Sequence, residues 1–205
     1  LPPIRGLKGV RCYCRIRLIR GGHSVCGAEG DVIFTDYGIS GNAVFKISPC
    51  ASAGDTVAID FLPDTESAAL LEALRNKLKS APALKAEDLF RCVVNSAVGK
   101  AILRRCGIDG ARNIQDIAGK LPELAQMAKN YTLNLTGSLG FDSAQVTQGG
   151  VSALELDENL MSKKVKNLYI VGELVDVDGD CGGYNLQWAF SSGWLAAGAV
   201  AGSKN

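Results

Sequence analysis

The residues whose types and spacing best suit chemistry lie close together near the C-terminal end of the chain. Gly172 and Glu173 open a loop that ends in the glycine pair Gly182 and Gly183. These glycines leave backbone N–H groups uncovered at the start of a predicted helix, where the helix dipole favours negative or electron-rich groups. The pattern predicts a ligand-binding loop.

Two predicted elements position this loop. The apolar run 168–171 predicts a short buried strand before it. A helix is predicted behind it, from about residue 185 to about residue 201, with small residues that let it pack closely on a sheet. The stripe that we expect to face this sheet consists of Leu186, Ala189, Phe190, Gly193, Ala197 and Val200.

The acidic residues of the loop suggest calcium as an alternative ligand. Asp176, Asp178 and Asp180 alternate as in an EF-hand loop. That template requires glycine at its sixth position and a bidentate acid at its twelfth, where this chain has Cys181 and Gln187. Calcium is therefore disfavoured, and we predict no metal. A plain solvated loop is the other alternative, but it would not need a glycine pair and a helix directly behind it.

The run 172–193 resembles the C-terminal signature of the HI0933-like flavoproteins, FAD-dependent oxidoreductases also called the BaiN/RdsA type. It reads Gly-Glu-Leu-Val-Asp-Val-Asp-Gly-Asp-Cys-Gly-Gly-Tyr-Asn-Leu-Gln-Trp-Ala-Phe-Ser-Ser-Gly. Residues 144–151 and 34–44 also resemble segments of that family. The last segment departs from the pattern, because Asp36 stands where the family has His and Asn42 where it has Pro.

The resemblance implies a flavin site in the loop. The implied cofactor-binding residues are Gly172, Glu173, Asp180, Gly182, Gly183, Tyr184 and Asn185. The last four would offer backbone donors to the pyrimidine edge of the flavin ring, where the helix dipole favours the anionic reduced form. Glu173 would face the ribityl chain, and Gly172 would permit close approach. Asp180, like Asp178, would either support the loop or be a solvated charge.

Periodicity and the resemblance together predict an α+β fold. Its first part is an antiparallel β-barrel or sheet with an inserted helical subdomain, and its second part is the C-terminal part of a Rossmann-like FAD-binding domain. The apolar period changes from 2 to 3.6 near residue 64, and alternation returns at Tyr131. We therefore predict one domain at 1–136, with its helical subdomain at about 64–130, and a second at 137–205.

The same periodicity places the smaller elements. Strands are predicted at 10–18, 24–26, 31–35, 56–62, 131–135, 145–147 and 153–156. Helices are predicted at 66–79, 87–94, 96–105, 114–121 and 122–129. Residues 42–47 fit either a strand or a short helix.

The dinucleotide fingerprint G-x-G-x-x-G does not occur in the 205 residues. The family carries it in an N-terminal segment, so the resemblance implies that this chain is the central and C-terminal part of a longer flavoprotein. FAD would be the cofactor of that protein, this fragment alone would not retain it, and NAD(P)H would be the electron donor. The expected partners are a small-molecule substrate and the missing FAD-binding segment, and the sequence does not fix an oligomeric state.

Charge and composition limit the other partners. The 22 basic and 21 acidic residues give a net charge of +1, so no global field favours nucleic acid or an anionic membrane. No apolar run approaches the roughly 18 residues that would suggest a membrane span. The first 22 residues carry six basic and no acidic side chains, which suits an anion-binding face, but scarce stacking aromatics disfavour nucleic acid.

The seven cysteines indicate reduced thiols in a cytoplasm, because their number is odd and no C-x-x-C pair occurs. Cys12, Cys14 and Cys26 leave zinc as an alternative, but the only histidine is His23, so we favour core cysteines.

The predicted activity is hydride transfer through a flavin, between a nicotinamide cofactor and an unidentified organic substrate. No catalytic acid or base is assigned, since hydride transfer needs none on the protein and His23 lies in a predicted hairpin turn. The alternative is a non-catalytic interaction module that caps a partner domain.

Overall fold

The computed structural model describes residues 3–202, and the chain divides into two compact units, 1–137 and 138–205. In the described residues, unit 1 is a five-stranded antiparallel sheet of order β3-β2-β1-β4-β5, covered by helices. Its strands are β1 Arg11–Arg20, β2 His23–Phe34, β3 Ile39–Ser40, β4 Thr56–Asp60 and β5 Tyr131–Asn134. Its α-helices are α1 Asn42–Ile47, α2 Ser67–Ser80, α3 Ser96–Arg105 and α4 Leu121–Lys129. Short 3-10 helices lie at Ser48–Cys50, Ala86–Asp88 and Ile114–Lys120.

Strand β1 confirms the predicted alternation. Cys14, Ile16 and Leu18 are fully buried, whereas the arginines between them are exposed. Gly21 and Gly22 form the expected hairpin turn, with φ of 56° and 82°. The prediction of two separate strands at 24–26 and 31–35 was wrong, because β2 is a single strand that pairs with β1 from His23 to Ile33, with one register shift at Val25. Residues 27–30 contain two glycines and an acid, whose low strand propensity concealed this continuity.

One hydrophobic core joins the sheet of unit 1 to its helices. An aromatic chain crosses it, with ring centres 6.3 Å apart for Phe34 and Phe61 and 5.5 Å apart for Phe61 and Tyr131. The helices predicted near 66–79, 96–105 and 122–129 are confirmed, and 42–47 is helical. The segment 114–121 is a 3-10 helix at Ile114–Lys120 rather than an α-helix.

The helix predicted at 87–94 was wrong. The chain there makes turns after Ala86–Asp88, and Cys92 has a φ of 65°, which an α-helix does not allow. The Lys77 ammonium stabilises these turns by donating to the carbonyls of Asp88, Leu89 and Arg91 at 2.9–3.3 Å. A side chain distant in sequence therefore decides the local conformation.

Unit 2 contains α5 Tyr184–Gly202 and 3-10 helices at Phe141–Ser143, Ala153–Glu155 and Gly172–Leu174. The strands predicted at 145–147, 153–156 and 168–171 do not form, and the described part of unit 2 holds only isolated bridges such as Met161 with Tyr169. Leu168 is 44% exposed, so the run 168–171 is not buried as predicted. A strand needs a partner that continues along its length, and residues 160–162 make only two backbone hydrogen bonds to the run 168–171.

Candidate functional site

The loop that begins at Gly172 is fixed to α5 by its backbone. Trp188 Nε1 donates to the Gly172 carbonyl at 3.0 Å, and the Gly172 N–H donates to Ser192 Oγ at 2.9 Å. Trp188 and Ser192 are four residues apart and so share one helix face. Gly172 has a φ of 67° and lies close to Ala189, where a built Cβ would be 3.7 Å from the Ala189 Cβ. This glycine therefore supplies both the turn and the close packing.

The buried face of α5 differs from the predicted one. Ser192 and Ala196 are buried, whereas Leu186 is 68% and Phe190 is 76% exposed. The helix is apolar nearly all round, so hydrophobic pattern alone could not select a face. The two hydrogen bonds to Gly172 select the face instead. Of the predicted stripe, Ala189 lies beside Gly172, whereas Leu186, Phe190 and Val200 are exposed.

The acidic loop is held to the start of α5 by Asn185. Its Oδ1 accepts from the Gly179 N–H at 2.8 Å, and its Nδ2 donates to the Gly179 carbonyl at 3.2 Å. Gly179 also packs against the helix, because a built Cβ would lie 2.9 Å from the Tyr184 Cβ. The amide of Asn185 is thus used to shape the loop, and its backbone stays at the helix start.

A second glycine-rich segment, residues 147–151, docks against the residues that follow Gly172. Glu173 Oε1 accepts from the Thr147 N–H at 3.0 Å and lies 3.5 Å from Thr147 Oγ1. The Val151 N–H donates to the Leu174 carbonyl at 2.8 Å. Gly150 permits this contact, because a built Cβ would lie 2.5 Å from the Leu174 oxygen. Two of the segments that resemble the flavoprotein family are therefore neighbours in space.

The glycine pair stands open in front of α5. Gly182 and Gly183 have φ of 140° and 97°, and a built Cβ at Gly183 meets nothing within 4 Å. The first helical hydrogen bond runs from the Gln187 N–H to the Gly183 carbonyl at 3.0 Å. The N–H groups of the first turn consequently lack intrahelical acceptors. This site combines open space over Gly183, first-turn N–H groups without intrahelical acceptors, and the positive end of a 19-residue helix. An electron-rich planar ligand suits such a site.

The remaining predicted site residues are exposed. Tyr184 is 64% exposed beside the glycine pair. Asp180 is exposed and makes no side-chain hydrogen bond within residues 3–202, so the structure does not join it to the other site residues. Asp176 and Asp178 are exposed as well. Across the described part of the chain, no three His, Cys, Asp or Glu side chains converge as a metal site would require.

Sequence reasoning missed three side chains that build this site. Thr147 fixes Glu173, and Trp188 and Ser192 fix Gly172. Trp188 and Ser192 lie inside the run that carries the resemblance, and their spacing of four is the signal that could have identified them as a pair on one helix face.

The geometry of unit 2 is that of a glycine-rich ligand loop at a helix N-terminus, and the comparisons with known proteins define its class. Residues 61–199 match the family model described as the HI0933-like protein Rossmann domain. The chain belongs to this family, the BaiN/RdsA-type flavoproteins.

Three curated relatives are similar to the chain. It is 31% identical over 207 residues to a 3-dehydro-bile acid delta(4,6)-reductase of Clostridium scindens, covering 97% of this chain and 51% of that protein. It is 32% identical over 174 residues to a ribosomal RNA dihydrouridine synthase of Escherichia coli, covering 82% and 41%. The corresponding synthase of Haemophilus influenzae is 29% identical over 181 residues, covering 85% and 43%. The chain spans about half the length of these relatives.

Within residues 3–202, no helix has the length and apolar character needed to cross a membrane. All seven cysteines are free thiols. Cys12 and Cys14 lie with their Sγ atoms 3.4 Å apart on one face of β1, and Cys14 belongs to the core.

Proposed function

We propose that this chain is the central and C-terminal part of a flavoprotein oxidoreductase. In that protein FAD mediates hydride transfer between a nicotinamide cofactor and an organic substrate. The observation that carries the proposal is the open pair Gly182 and Gly183 in front of α5, with no side-chain atom over Gly183. The proposal assigns unit 1 to the predicted β-barrel domain with its helical subdomain and unit 2 to the predicted C-terminal part of the FAD-binding domain, and free thiols suit a reducing cytoplasm.

Each site residue has a defined task in this proposal. The backbone N–H groups of the first turn of α5 bind the electron-rich edge of the flavin ring and stabilise negative charge there by roughly 0.3–2 kcal/mol. Gly172 and Glu173 border the ribityl chain, with Thr147 holding the Glu173 carboxylate in place. Asn185 keeps the acidic loop clear of the ring position by binding Gly179. The flavin itself supplies the electron chemistry when bound.

The names of the relatives narrow the reaction. A delta(4,6)-reductase of a 3-dehydro steroid and a synthase of dihydrouridine both act on a carbon–carbon double bond conjugated with a carbonyl group. We therefore propose the same bond type as the hydride acceptor for the full-length protein. The substrate class differs between these relatives, a small molecule in one and ribosomal RNA in the others.

The test uses the full-length protein that contains this chain. We expect flavin absorbance at stoichiometric occupancy, and oxidation of NADH or NADPH that depends on an enone such as a 3-oxo-4-ene steroid. A colourless full-length protein, purified under both reducing and oxidising conditions, would refute the proposal. The 205-residue chain alone should not retain FAD, because it supplies only one end of the site.

The exposed face of α5 favours a second candidate, an interaction module that caps a partner domain. Phe190 and Trp194 are 76% and 79% exposed on neighbouring turns. A helix face of this kind is typical of a surface that another domain covers. The absorption spectrum of the full-length protein separates the two candidates, since a cap without a flavin site would be colourless.

A further inference from the structure

Cys12 and Cys14 bring two thiols into contact on the core-facing side of β1. They are two residues apart on one strand, so their side chains point to the same side of the sheet. The Cys14 thiol donates to Cys12 Sγ across 3.4 Å, and the Cys12 carbonyl is a more distant acceptor at 3.7 Å. Cys12 is partly exposed, whereas Cys14 is fully buried. The proposed flavin site lies in unit 2 and does not use this dithiol in unit 1.

The hydrogen bond between the two thiols makes their acidities unequal. It lowers the pKa of Cys12, against the opposing effects of burial and of Asp31. The same hydrogen bond raises the pKa of Cys14, and burial raises it further. Because the thiolate is the reactive form, Cys12 is the nucleophile of the pair. Cys14 is the thiol that stays protonated until Cys12 has reacted.

The backbone at the dithiol is held by a strand on one side only. β1 pairs with β2 along its whole length, from Arg11 to Arg20, but with β4 only from Arg15 to Ile19. Among the described residues, the segment 12–14 therefore has no hydrogen-bonded strand on the β4 side. A local bend of this segment would leave the pairing of β1 with β4 intact.

A disulfide between Cys12 and Cys14 would be strained. Two residues of a strand span about 6.8 Å between Cα atoms, which is the upper end of the range that disulfides allow. Strain makes a disulfide easier to reduce, and labile or regulatory disulfides have this character. Such a bond would therefore open again in a reducing environment and could not serve as a permanent crosslink.

We propose that Cys12 and Cys14 are a redox-active dithiol that closes to a reversible disulfide by exchange with a small disulfide such as oxidised glutathione. The Cys12 thiolate attacks one sulfur of the small disulfide, forms a mixed disulfide and releases one small thiolate. Cys14 then loses its proton and attacks the Cys12 sulfur, which forms the Cys12–Cys14 bond and releases the second small thiolate. The two cysteines lose two electrons and two protons, and the small disulfide is reduced to two thiols.

Cys26 and Cys50 provide an internal comparison, because their thiols also interact. Here burial and the hydrogen bond with Cys50 raise the pKa of Cys26, so Cys26 is a poor nucleophile. Only in the pair on β1 does the contact between thiols favour the thiolate of the partly exposed member. Reaction with a small disulfide should therefore close the Cys12–Cys14 bond.

The test treats the reduced full-length protein with oxidised glutathione, alkylates the remaining thiols with iodoacetamide and maps the tryptic peptides by mass spectrometry. Trypsin cuts after Arg11 and Arg15, so both cysteines fall in the single peptide 12–15. We expect this peptide without alkyl groups and two hydrogens lighter than its dithiol form. Dithiothreitol added before the alkylation should restore the doubly alkylated peptide. Flavin content does not enter this readout, so its failure is distinct from failure of the proposed flavin site.

Two variants separate the roles of the thiols. Cys14→Ala should stop at the mixed disulfide on Cys12, and Cys12→Ala should leave Cys14 reduced. Loss of the Cys14 donor should also slow the first step at Cys12 roughly threefold, because a roughly tenfold smaller thiolate fraction is partly offset by higher nucleophilicity. Cys26→Ala is the control and should form the disulfide in peptide 12–15 at the wild-type rate.

Three outcomes would overturn the proposal. The first is a doubly alkylated peptide 12–15 after glutathione treatment of the wild type, whether or not Cys26 and Cys50 are oxidised. The second is a mixed disulfide on Cys12 of the wild type that never proceeds to the bond with Cys14. The third is equal slowing of the first step in Cys14→Ala and Cys26→Ala. The first two use the wild type alone, so they decide the question even if a variant fails to fold.

Discussion

Asn185 and Gly179 form a closed pair of hydrogen bonds across the acidic loop, with the amide of Asn185 accepting at 2.8 Å and donating at 3.2 Å. Replacing Asn185 with Ala removes both bonds and should destabilise the loop by about 1–3 kcal/mol. We expect faster hydrogen exchange at the Gly179 amide and less flavin in the full-length protein. Asn185→Asp keeps the acceptor and should be intermediate. The control is Gln187→Ala, which loses only an exposed bond to Ser191; an equal effect there would contradict the assignment.

Gly183→Val should abolish or greatly weaken flavin binding in the full-length protein. The position has a φ of 97° and faces open space, so the side chain would obstruct a ligand and strain the turn without touching the protein. Flavin content and the thermal midpoint should be measured on one preparation. Gly198→Ala, at a helical glycine with equally open surroundings, serves as the control and should keep its flavin. Stoichiometric flavin in Gly183→Val would refute the site.

Substitutions at Gly150 and Gly149 can distinguish destabilisation by steric contact from destabilisation by backbone strain. Both have positive φ, 141° and 92°, but only at Gly150 would a Cβ meet the Leu174 carbonyl, at 2.5 Å. Gly150→Ala should therefore separate the segment 147–151 from Leu174 and destabilise unit 2, whereas Gly149→Ala should cost only the strain of its φ, roughly 1–2 kcal/mol. Hydrogen exchange at the Val151 amide is the measurement. Equal protection in both variants would show that the contact is unimportant.

Asp55 should make the stability of unit 1 depend on pH in the acid range. The Arg20 guanidinium, bonded to both carboxylate oxygens at 2.8 Å, lowers the pKa of Asp55 from about 3.8 to about 2. Because the pKa of Asp55 is lower in the folded state than in the unfolded chain, ionised Asp55 adds to the free energy of unfolding at pH values above the unfolded-state pKa. This contribution is lost as the pH falls from about 4 to about 2. The free energies of unfolding of the wild type and of Asp55→Asn, measured by urea titration, should converge as the pH falls over this range. Parallel curves would contradict the prediction.

The cysteines should differ sharply in alkylation rate. Burial raises the pKa of the Cys106 thiol to about 11, with a further contribution from nearby Glu123. The thiolate is the reactive form, so Cys106 should react slowly at pH 8. Cys50, Cys92 and Cys181 are exposed and should react first. Peptide mapping at intervals after iodoacetamide treatment measures the order in which the cysteines are alkylated. Early labelling of Cys106 would show that the core opens readily around it.

The sequence predicted unit 1 better than unit 2 for a physical reason. Strand β1 is half-buried and α2 is amphipathic, so the spacing of their apolar residues shows directly which side chains face the core. The conformation after Ala86–Asp88 depends on Lys77, a distant side chain that no local pattern reveals. In α5, an apolar composition on all sides left the choice of face to the bonds of Trp188 and Ser192.

The sequence singled out the loop of the candidate site but did not predict the geometry of that loop. The order of glycines and the acidic loop indicated where a ligand would bind. The contact of Thr147 with Glu173 joins residues 26 positions apart, and loop pairings of that range leave no periodic signal. Asp180 illustrates the limit, because its place in the run suggested a role that no contact in the structure supports.

The two tryptophans of the chain both lie on α5, and their indoles face different surroundings. Trp188 is half-buried with its N–H bonded to Gly172, whereas Trp194 is 79% exposed. The fluorescence of Trp188 should therefore lie at shorter wavelength and should change if the glycine loop leaves α5. The fluorescence of Trp194 should lie at longer wavelength and should be quenched by iodide. Loss of quenching at Trp194 would record the moment when another surface covers α5, without any label.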